Sequence, residues 1–82
     1  MESTLNIELN TITDLIHEVT GISLPDADQD FYDAGVTSVM ALPLLMELES
    51  RFEISVPDDL FIPARTARQL HTLVSGLKRE QP

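Results

Sequence analysis

The sequence predicts an all-α fold: a small antiparallel four-helix bundle with a short third helix and a long loop between helices one and two. Three observations support this prediction. Apolar residues recur at helical spacing in three segments, helix start and stop residues flank those segments, and no segment alternates for long enough to form a paired β-strand. The chain has 82 residues, 43% of them hydrophobic and 23% charged, which suits one domain over residues 1–82 with an ordered core at about 4–79.

Helix one is expected at residues 4–19. Its apolar residues share one helical face: Leu5, Leu9, Ile12, Ile16 and Val19. Ser3 or Thr4 is available as the N-cap, and Gly21 lies just past the end as a C-terminal stop. The pattern thus gives both the length and the core-facing side of this helix.

Residues 21–36 are expected to form a long loop. They include Pro25, two of the chain's three glycines and four aspartates, which favour turns over helix. The apolar residues Leu24, Phe31 and Val36 would hold the loop against the bundle. A loop of this length in so small a domain is usually functional.

Helix two begins at Thr37 or Ser38, either of which could cap it, and runs to about Phe52. The residues on its core-facing side are Ala41, Leu44, Leu45, Leu48 and Phe52. Pro43 lies inside this helix and lacks the N–H that would bond to the carbonyl of Val39. We therefore expect the helix to bend there or to leave that carbonyl without its helical partner.

The chain after helix two predicts two more helices. Residues 54–56 alternate but are too few for a paired strand, and residues 57–61 have a proline followed by two acids, which favours a short third helix. Thr66 and Gln69 form a T-x-x-Q capping box at the start of the last helix, and basic residues favour its C-terminal end. Its apolar face and its basic end comprise Leu70, Leu73, Val74, Leu77, Lys78 and Arg79.

Composition excludes several classes of function. Five Lys and Arg residues against 14 Asp and Glu residues give a net charge of −9, which would repel a nucleic-acid backbone. Residues 1–50 contain ten of the acids and no Lys or Arg, so this part of the surface is either a docking face for a basic partner or a solvated face that only promotes solubility. The absence of cysteine excludes disulfides, thiolate metal sites and a cysteine nucleophile.

The sequence carries no signal for a membrane. Its longest apolar run, residues 39–46, is eight residues long and includes Pro43, which is far short of a membrane span, and the N-terminus has no signal-peptide pattern. We therefore expect a cytoplasmic protein that is a monomer and binds neither membrane nor nucleic acid.

No catalytic or metal site is predicted. The Asp26-x-Asp28-x-Asp30 pattern begins like a calcium loop, but Phe31 stands where glycine is needed and Thr37 where glutamate is needed. The two histidines lie in different helices and are expected to be surface or packing residues, since no nucleophile elbow accompanies them. The glycines are too far apart for a phosphate-binding loop, so the chain is not expected to be an enzyme.

One segment remains to be explained. Residues 30–40 read D-F-Y-D-A-G-V-T-S-V-M: an acidic and aromatic entry, a glycine, an apolar residue, a variable residue and a serine at the start of helix two. This pattern resembles the phosphopantetheine attachment region of acyl and peptidyl carrier proteins, with Ser38 in the place of the modified serine. The resemblance extends through helix two, the segment at 54–57, the short helix and the last helix, so it covers nearly the whole chain.

The resemblance implies a function. A phosphopantetheinyl transferase would attach 4′-phosphopantetheine covalently to Ser38 from coenzyme A, with magnesium held mainly by the transferase. An adenylating ligase or acyltransferase would load the arm's thiol with an aminoacyl or acyl group as a thioester, and downstream biosynthetic enzymes would receive it. The free N–H groups at a helix N-terminus also favour an attached phosphodiester. The alternative for Ser38 is that it only caps helix two.

The resemblance is imperfect near Ser38. Thr37 replaces the aspartate or histidine common before the serine, Met40 replaces an acidic residue, and Pro43 stands where a charge is common, which argues against fatty-acid-type partners. We expect an apolar docking patch beside the arm that selects the loading enzyme; alternatively, some of its residues pack under the long loop. The expected docking residues are Thr37, Val39, Met40, Leu42, Pro43, Met46 and Glu47.

The sequence thus predicts a stand-alone carrier protein for a thioester-bound aminoacyl or acyl group. The apolar residues after Ser38 and the G-x-T-S form favour aminoacyl or peptidyl loading. The alternative is an unmodified, acidic helical interaction module that binds a basic protein partner. Covalent modification separates the two.

Overall fold

The computed structural model of the chain describes residues 7–81 and contains helices but no strand in that range. The four helices are α1 (Leu9–Thr20), α2 (Ser38–Phe52), α3 (Asp58–Phe61) and α4 (Ala67–Glu80). Helix α1 packs against α2 and α4, and α4 also contacts α2 and α3. This arrangement confirms the predicted all-α bundle with a short third helix and a long first loop. None of these helices has the length and apolar character needed to span a bilayer.

The core is built from one apolar face of each helix together with residues of the connecting segments. Its largest fully buried side chains are Phe31, Ile12, Leu15, Ile16, Leu44, Leu48, Leu70 and Val74. Burial of a side chain of this size stabilises a fold by about 1.5–3 kcal/mol relative to exposure. Phe31 is the one member of this set that comes from the long loop, so the loop is part of the core rather than an appendage.

Helix α1 begins at Leu9, so the predicted start at residue 4 is wrong. Glu8 is the N-cap, with an extended backbone (φ −88°, ψ 148°) and no side-chain cap. The carbonyl of Ile7 accepts a hydrogen bond from His71 Nε2 at 2.6 Å. This bond joins the residue before the N-cap to α4. The expected caps at residues 3 and 4, and the apolar residue at position 5, lie outside the described range.

The other predicted caps of α1 and α4 are confirmed. Gly21 adopts the left-handed conformation (φ 76°), and its N–H donates to the carbonyl of His17 at 2.7 Å. At the start of α4, Thr66 Oγ1 accepts from the N–H of Gln69 at 3.1 Å, and Gln69 Oε1 accepts from the N–H of Thr66 at 3.2 Å. These local signals therefore fix the end of α1 and the beginning of α4.

The end of α4 fixes the segment between α2 and α3. The side-chain amide of Gln81 accepts from the N–H of Ser55 at 2.7 Å and donates to the carbonyl of Ser55 at 3.1 Å. Lys78 Nζ donates to the carbonyl of Phe52, at the last residue of α2, at 2.9 Å. These contacts satisfy backbone groups at the end of α2 and in the segment that follows it. The position of α3 is thus tied to α4 as well as to α2.

Helix α2 continues through Pro43 without interruption. Because proline has no N–H, the carbonyl of Val39 lacks its usual helical donor, which is the second of the two outcomes expected from the sequence. Pro43 and Val39 are both exposed, so water can satisfy this carbonyl. The proline therefore weakens α2 on its solvent side without opening the core.

Replacing Pro43 with alanine is expected to stabilise the protein, because the restored N–H can donate to the Val39 carbonyl. The free energy of unfolding should rise by about 1–3 kcal/mol, measured by urea denaturation. Pro57→Ala is the matched control: Pro57 precedes α3 with a backbone that suits proline (φ −61°), so its replacement should lower stability by up to about 1 kcal/mol. Equal effects of the two substitutions would contradict this account of Pro43.

Candidate functional site

The start of α2 places a serine hydroxyl at the surface. Thr37 is the N-cap: its Oγ1 accepts from the N–H of Met40 at 3.3 Å, and its carbonyl accepts from the N–H groups of Met40 and Ala41, both at 3.0 Å. Ser38 is the first residue of the helix and is exposed. Within residues 7–81 its hydroxyl makes no hydrogen bond. Of the two caps that the sequence allowed, Thr37 takes the role, and Ser38 remains available for chemistry.

The backbone around Ser38 favours a negatively charged group. The N–H groups of Ser38 and Val39 belong to the first turn of α2 and have no helical acceptor. The aligned peptide dipoles place partial positive charge at the same end of the helix. A phosphodiester on the Ser38 hydroxyl would lie beside these donors.

The turn before Ser38 is organised by the carboxylate of Asp30. Its Oδ1 accepts from the N–H of Tyr32 at 2.8 Å and from the N–H of Asp33 at 3.2 Å. The N–H of Val36 then donates to the carbonyl of Phe31 at 3.0 Å and closes the turn. Residues 30–36 are therefore held by hydrogen bonds up to the residue before the cap of α2.

This turn is bound to the segment that precedes α4. The N–H of Phe31 donates to the carbonyl of Arg65 at 2.8 Å. The guanidinium of Arg65 forms an ion pair with Asp30 and lies 4.8 Å from the centre of the Tyr32 ring. Its hydrogen bond to Asp30 is the main reason that the pKa of that carboxyl lies below its usual range. The Arg65 contacts could not be predicted from local sequence patterns, since they join residues about 35 positions apart.

Gly35 meets two requirements that no other residue meets well. Its φ of 123° is rarely adopted by residues with a side chain, and a Cβ there would lie 3.3 Å from Cδ1 of Ile22. The next two residues are Val36, which is buried, and Thr37, which caps α2. The glycine thus lets the chain turn closely past Ile22 and enter α2 with Ser38 outward.

The outer face of α2 is apolar. Val39, Leu42 and Met46 recur at spacings of three and four residues and are 81%, 60% and 59% exposed. Pro43 is exposed beside them, and we call these four residues the apolar stripe. The alternative that they pack under the long loop is therefore wrong. Thr37 is also exposed, and Glu47 is half-buried.

Met40 differs from the other expected docking residues. It is only partly exposed and packs against the core, so only part of its side chain is available to a partner, and its docking role stays a prediction. The structure adds two residues that the sequence analysis missed: Leu60 is 45% exposed and Ile62 is 66% exposed. A four-residue helix such as α3 presents few residues to the core, and Phe61 is the one that α3 buries. Because α3 is only four residues long, the sequence could have indicated that the residues on either side of Phe61 are exposed.

The aspartates that began like a calcium loop are engaged by the protein itself. Asp26 Oδ1 accepts from the N–H of Asp28 at 2.9 Å, and the Asp28 carboxylate pairs with Arg68 at 2.7 Å. Asp30 pairs with Arg65, as described above. In the part of the chain that the structure describes, no three His, Cys, Asp or Glu residues are grouped to hold a metal ion.

The two histidines have separate local partners. His17 is exposed with Nδ1 at 3.3 Å from the hydroxyl of Ser23, and His71 is bonded to the carbonyl of Ile7. A surface depression of about 400 Å³, lined by residues of the long loop and α4, contains no residue of α2. Its lining residues are Asp28, Thr66, Arg68, Gln69 and Thr72. Ser38 is thus an open surface position and not the floor of this depression.

Comparisons with known proteins agree on one family. The family model described as Phosphopantetheine attachment site matches residues 10–74. The structure is similar to the solution structure of the acetyl actinorhodin acyl carrier protein from Streptomyces coelicolor, with 27% sequence identity and a TM-score of 0.64. That alignment covers 100% of this chain and 94% of the other. No curated protein matches the sequence significantly.

The three glycines provide a graded test of the turn that leads to Ser38. Gly35→Ala should lower the free energy of unfolding by about 1–3 kcal/mol, because both the backbone conformation and the contact with Ile22 oppose a side chain. At Gly21 an added Cβ would meet no atom of residues 7–81 within 4 Å beyond its own chain neighbours, so Gly21→Ala should lower the free energy of unfolding by only about 1 kcal/mol, the cost of a left-handed backbone for alanine. Gly76→Ala, in helical α4 with open space around it, should stabilise by about 0.5–1 kcal/mol.

Urea denaturation of the three variants and the parent gives the order of their free energies of unfolding. If Gly35→Ala were the mildest of the three, the close approach at Ile22 would have no energetic role.

Proposed function

The chain belongs to the phosphopantetheine attachment site family of carrier domains, and we propose that Ser38 is the residue to which its arm is attached. Members of this family bear 4′-phosphopantetheine covalently and act as carriers that do not themselves catalyse. One observation carries the proposal for Ser38: its hydroxyl is exposed at the start of α2 and makes no hydrogen bond to any residue in 7–81, while Thr37 supplies the cap.

The attachment step transfers the phosphopantetheinyl group of coenzyme A to the serine. Ser38 Oγ attacks the phosphorus that bears the pantetheine of coenzyme A, and a new P–O bond forms. The bond from that phosphorus to adenosine 3′,5′-bisphosphate breaks, and the hydroxyl proton passes to a base of the transferase. A phosphopantetheinyl transferase with its magnesium is thus the first partner. The donors at the start of α2 stabilise the phosphodiester that results.

The arm then carries the cargo as a thioester. Because the chain has no cysteine, the arm supplies the only thiol. An adenylating ligase presents an acyl adenylate, the thiol displaces AMP, and the thiol proton is released; an acyltransferase instead exchanges one thioester for another. Tethering keeps the cargo at high effective concentration near each enzyme that binds the carrier.

Two observations bear on the kind of cargo. The solved neighbour is an acyl carrier protein that holds an acetyl group, which supports an acyl cargo. The apolar residues that follow Ser38, where charge would favour fatty-acid-type partners, support aminoacyl or peptidyl loading. We propose a carboxylic acid cargo of one of these two kinds, with the loading enzyme as the selecting partner. The cargo is then consumed by downstream biosynthetic enzymes.

The loading enzyme is proposed to dock on the apolar stripe. Leu60 and Ile62 extend the exposed apolar area beyond α2. The exposed acids Glu53, Asp58 and Asp59 lie in the same part of the chain, so the complementary partner surface is apolar with basic residues around it. Such a surface would bind by burial of apolar area and would be steered by charge.

Modification of Ser38 is tested by intact mass. After incubation with coenzyme A, magnesium and a broad-specificity phosphopantetheinyl transferase, the parent should gain one phosphopantetheinyl group and Ser38→Ala should gain none. Ser50→Ala removes another exposed serine of α2 and should be modified like the parent. A parent that stays unmodified with several transferases would favour the unmodified interaction module, in which the acidic surface binds a basic protein.

The docking proposal is tested with matched changes of charge. A panel of adenylating ligases and acyltransferases first identifies an enzyme that loads the modified parent, and its class reveals the kind of cargo. Met46→Glu should then raise the KM of that enzyme for the carrier about tenfold, since it places a charge in an apolar contact. Asn10→Glu adds the same charge at an exposed position of α1 and should leave KM within about twofold of the parent value. Equal KM values for the two variants would exclude the apolar stripe as the docking surface.

A further inference from the structure

We propose that Arg65 positions Ser38 for attachment of the arm, although Arg65 itself touches neither Ser38 nor any substrate. This inference rests on the proposed function of Ser38. Arg65 and the three residues it holds, Asp30, Phe31 and Tyr32, are called the Arg65 junction below. The junction joins the segment before α4 to the turn before α2 through a side-chain ion pair, a backbone hydrogen bond and a cation–ring contact.

The three contacts of the junction use different chemistry and converge on one end of the turn. The guanidinium pairs with the Asp30 carboxylate, the Arg65 carbonyl accepts the N–H of Phe31 at 2.8 Å, and the guanidinium carbon lies 4.8 Å from the Tyr32 ring centre. The Phe31 and Tyr32 rings are themselves in contact, with centres 4.8 Å apart. Loss of the Arg65 side chain removes two of these contacts and leaves the Phe31 anchor in place.

The hydrogen bonds of the turn carry this constraint towards Ser38. The Asp30 carboxylate that Arg65 holds also accepts the N–H groups of Tyr32 and Asp33. The carbonyl of Asp30 accepts the N–H of Ala34 at 3.1 Å, and the turn closes with Val36, two residues before Ser38. Asp30 is therefore shared between the junction and the turn, and its orientation affects where α2 begins.

The opposite side of the junction is part of the start of α4. The N–H of Arg65 donates to Gln69 Oε1 at 2.6 Å, the same oxygen that completes the capping box with Thr66. Arg65 thus lies between α3, which ends at Phe61, and α4. A transferase would find the Ser38 hydroxyl at a fixed place only if the turn before α2 is held to this segment. Precise placement of a reacting group affects the chemical step more than it affects docking.

Arg68 provides a matched control. It too joins the long loop to α4, since its guanidinium pairs with Asp28 at 2.7 Å and its N–H donates to the carbonyl of Ala27 at 3.1 Å. The Arg65–Asp30 and Arg68–Asp28 ion pairs both reach the surface, and Asp28 is more exposed than Asp30. Among residues 7–81, however, the Asp28 carboxylate accepts no hydrogen bond from the turn at 30–36. Arg65 and Arg68 thus make similar ion pairs to the long loop, but Arg65 also contacts the Tyr32 ring and its aspartate partner is bonded to the turn before Ser38.

The experiment compares Arg65→Ala, Arg65→Lys and Arg68→Ala with the parent. A broad-specificity phosphopantetheinyl transferase, coenzyme A and magnesium are used, and kcat and KM for the carrier are measured together with the midpoint of thermal unfolding. Arg65→Ala should lower kcat about five- to tenfold and leave KM within about twofold, since Arg65 lies outside α2 and its loss alters the placement of Ser38 rather than the surface around it. Arg65→Lys keeps the charge but lacks the planar guanidinium group, so its kcat should lie between those of Arg65→Ala and the parent. Arg68→Ala should match the parent in both constants.

Asp30→Asn is the second variant, in case the arginine variant does not fold. It retains an oxygen for the N–H groups of Tyr32 and Asp33 but loses the charge that pairs with Arg65, so kcat should again fall with KM unchanged. An unchanged kcat in the folded variants, an equal loss in Arg68→Ala, or a rise in KM alone would overturn the role of Arg65. Failure of the parent to be modified at all would instead overturn the proposed function of Ser38.

Discussion

The burial of Phe31 is the contact on which the functional region depends. The loop between α1 and α2 has no helix of its own, yet Phe31 places a fully buried ring in the core and donates its N–H to Arg65. The surface ion pairs of the loop would contribute little by themselves, because exposed pairs are worth about 0.2–1 kcal/mol. The apolar anchor fixes the loop, and the ion pairs then orient what is already held near them.

Helix α2 serves the bundle and the surface with two different faces. Leu44 and Leu48 are fully buried and join the helix to the core, whereas the apolar stripe faces solvent. At its N-terminus a similar division holds between neighbouring residues, since Thr37 caps the helix and the exposed Ser38 hydroxyl has no hydrogen bond within the described part of the chain. Capping of α2 and the proposed attachment of the arm therefore fall to different side chains.

Local patterns predicted most of the fold and the position of Ser38. The capping box at Thr66 and the stop at Gly21 act within one turn of helix, so their outcome depends on few neighbours. The start of α1 and the contacts of Arg65 depend on residues about 64 and 35 positions away, and no sequence window contains both partners. Met40 lies at the edge of the helical projection, where only packing decides whether a side chain is buried.

The uneven charge has a consequence for how copies of this protein behave near one another. Its net charge is −9, and Arg51, Arg65 and Arg68 are all occupied in ion pairs within the chain. Two copies that approach with their apolar stripes facing each other would therefore meet strong mutual repulsion, which is effective within a Debye length of about 8 Å at physiological ionic strength. The negative charge that would attract the proposed basic partner thus also opposes self-association through the apolar stripe, a surface that would favour aggregation in a neutral protein of this size.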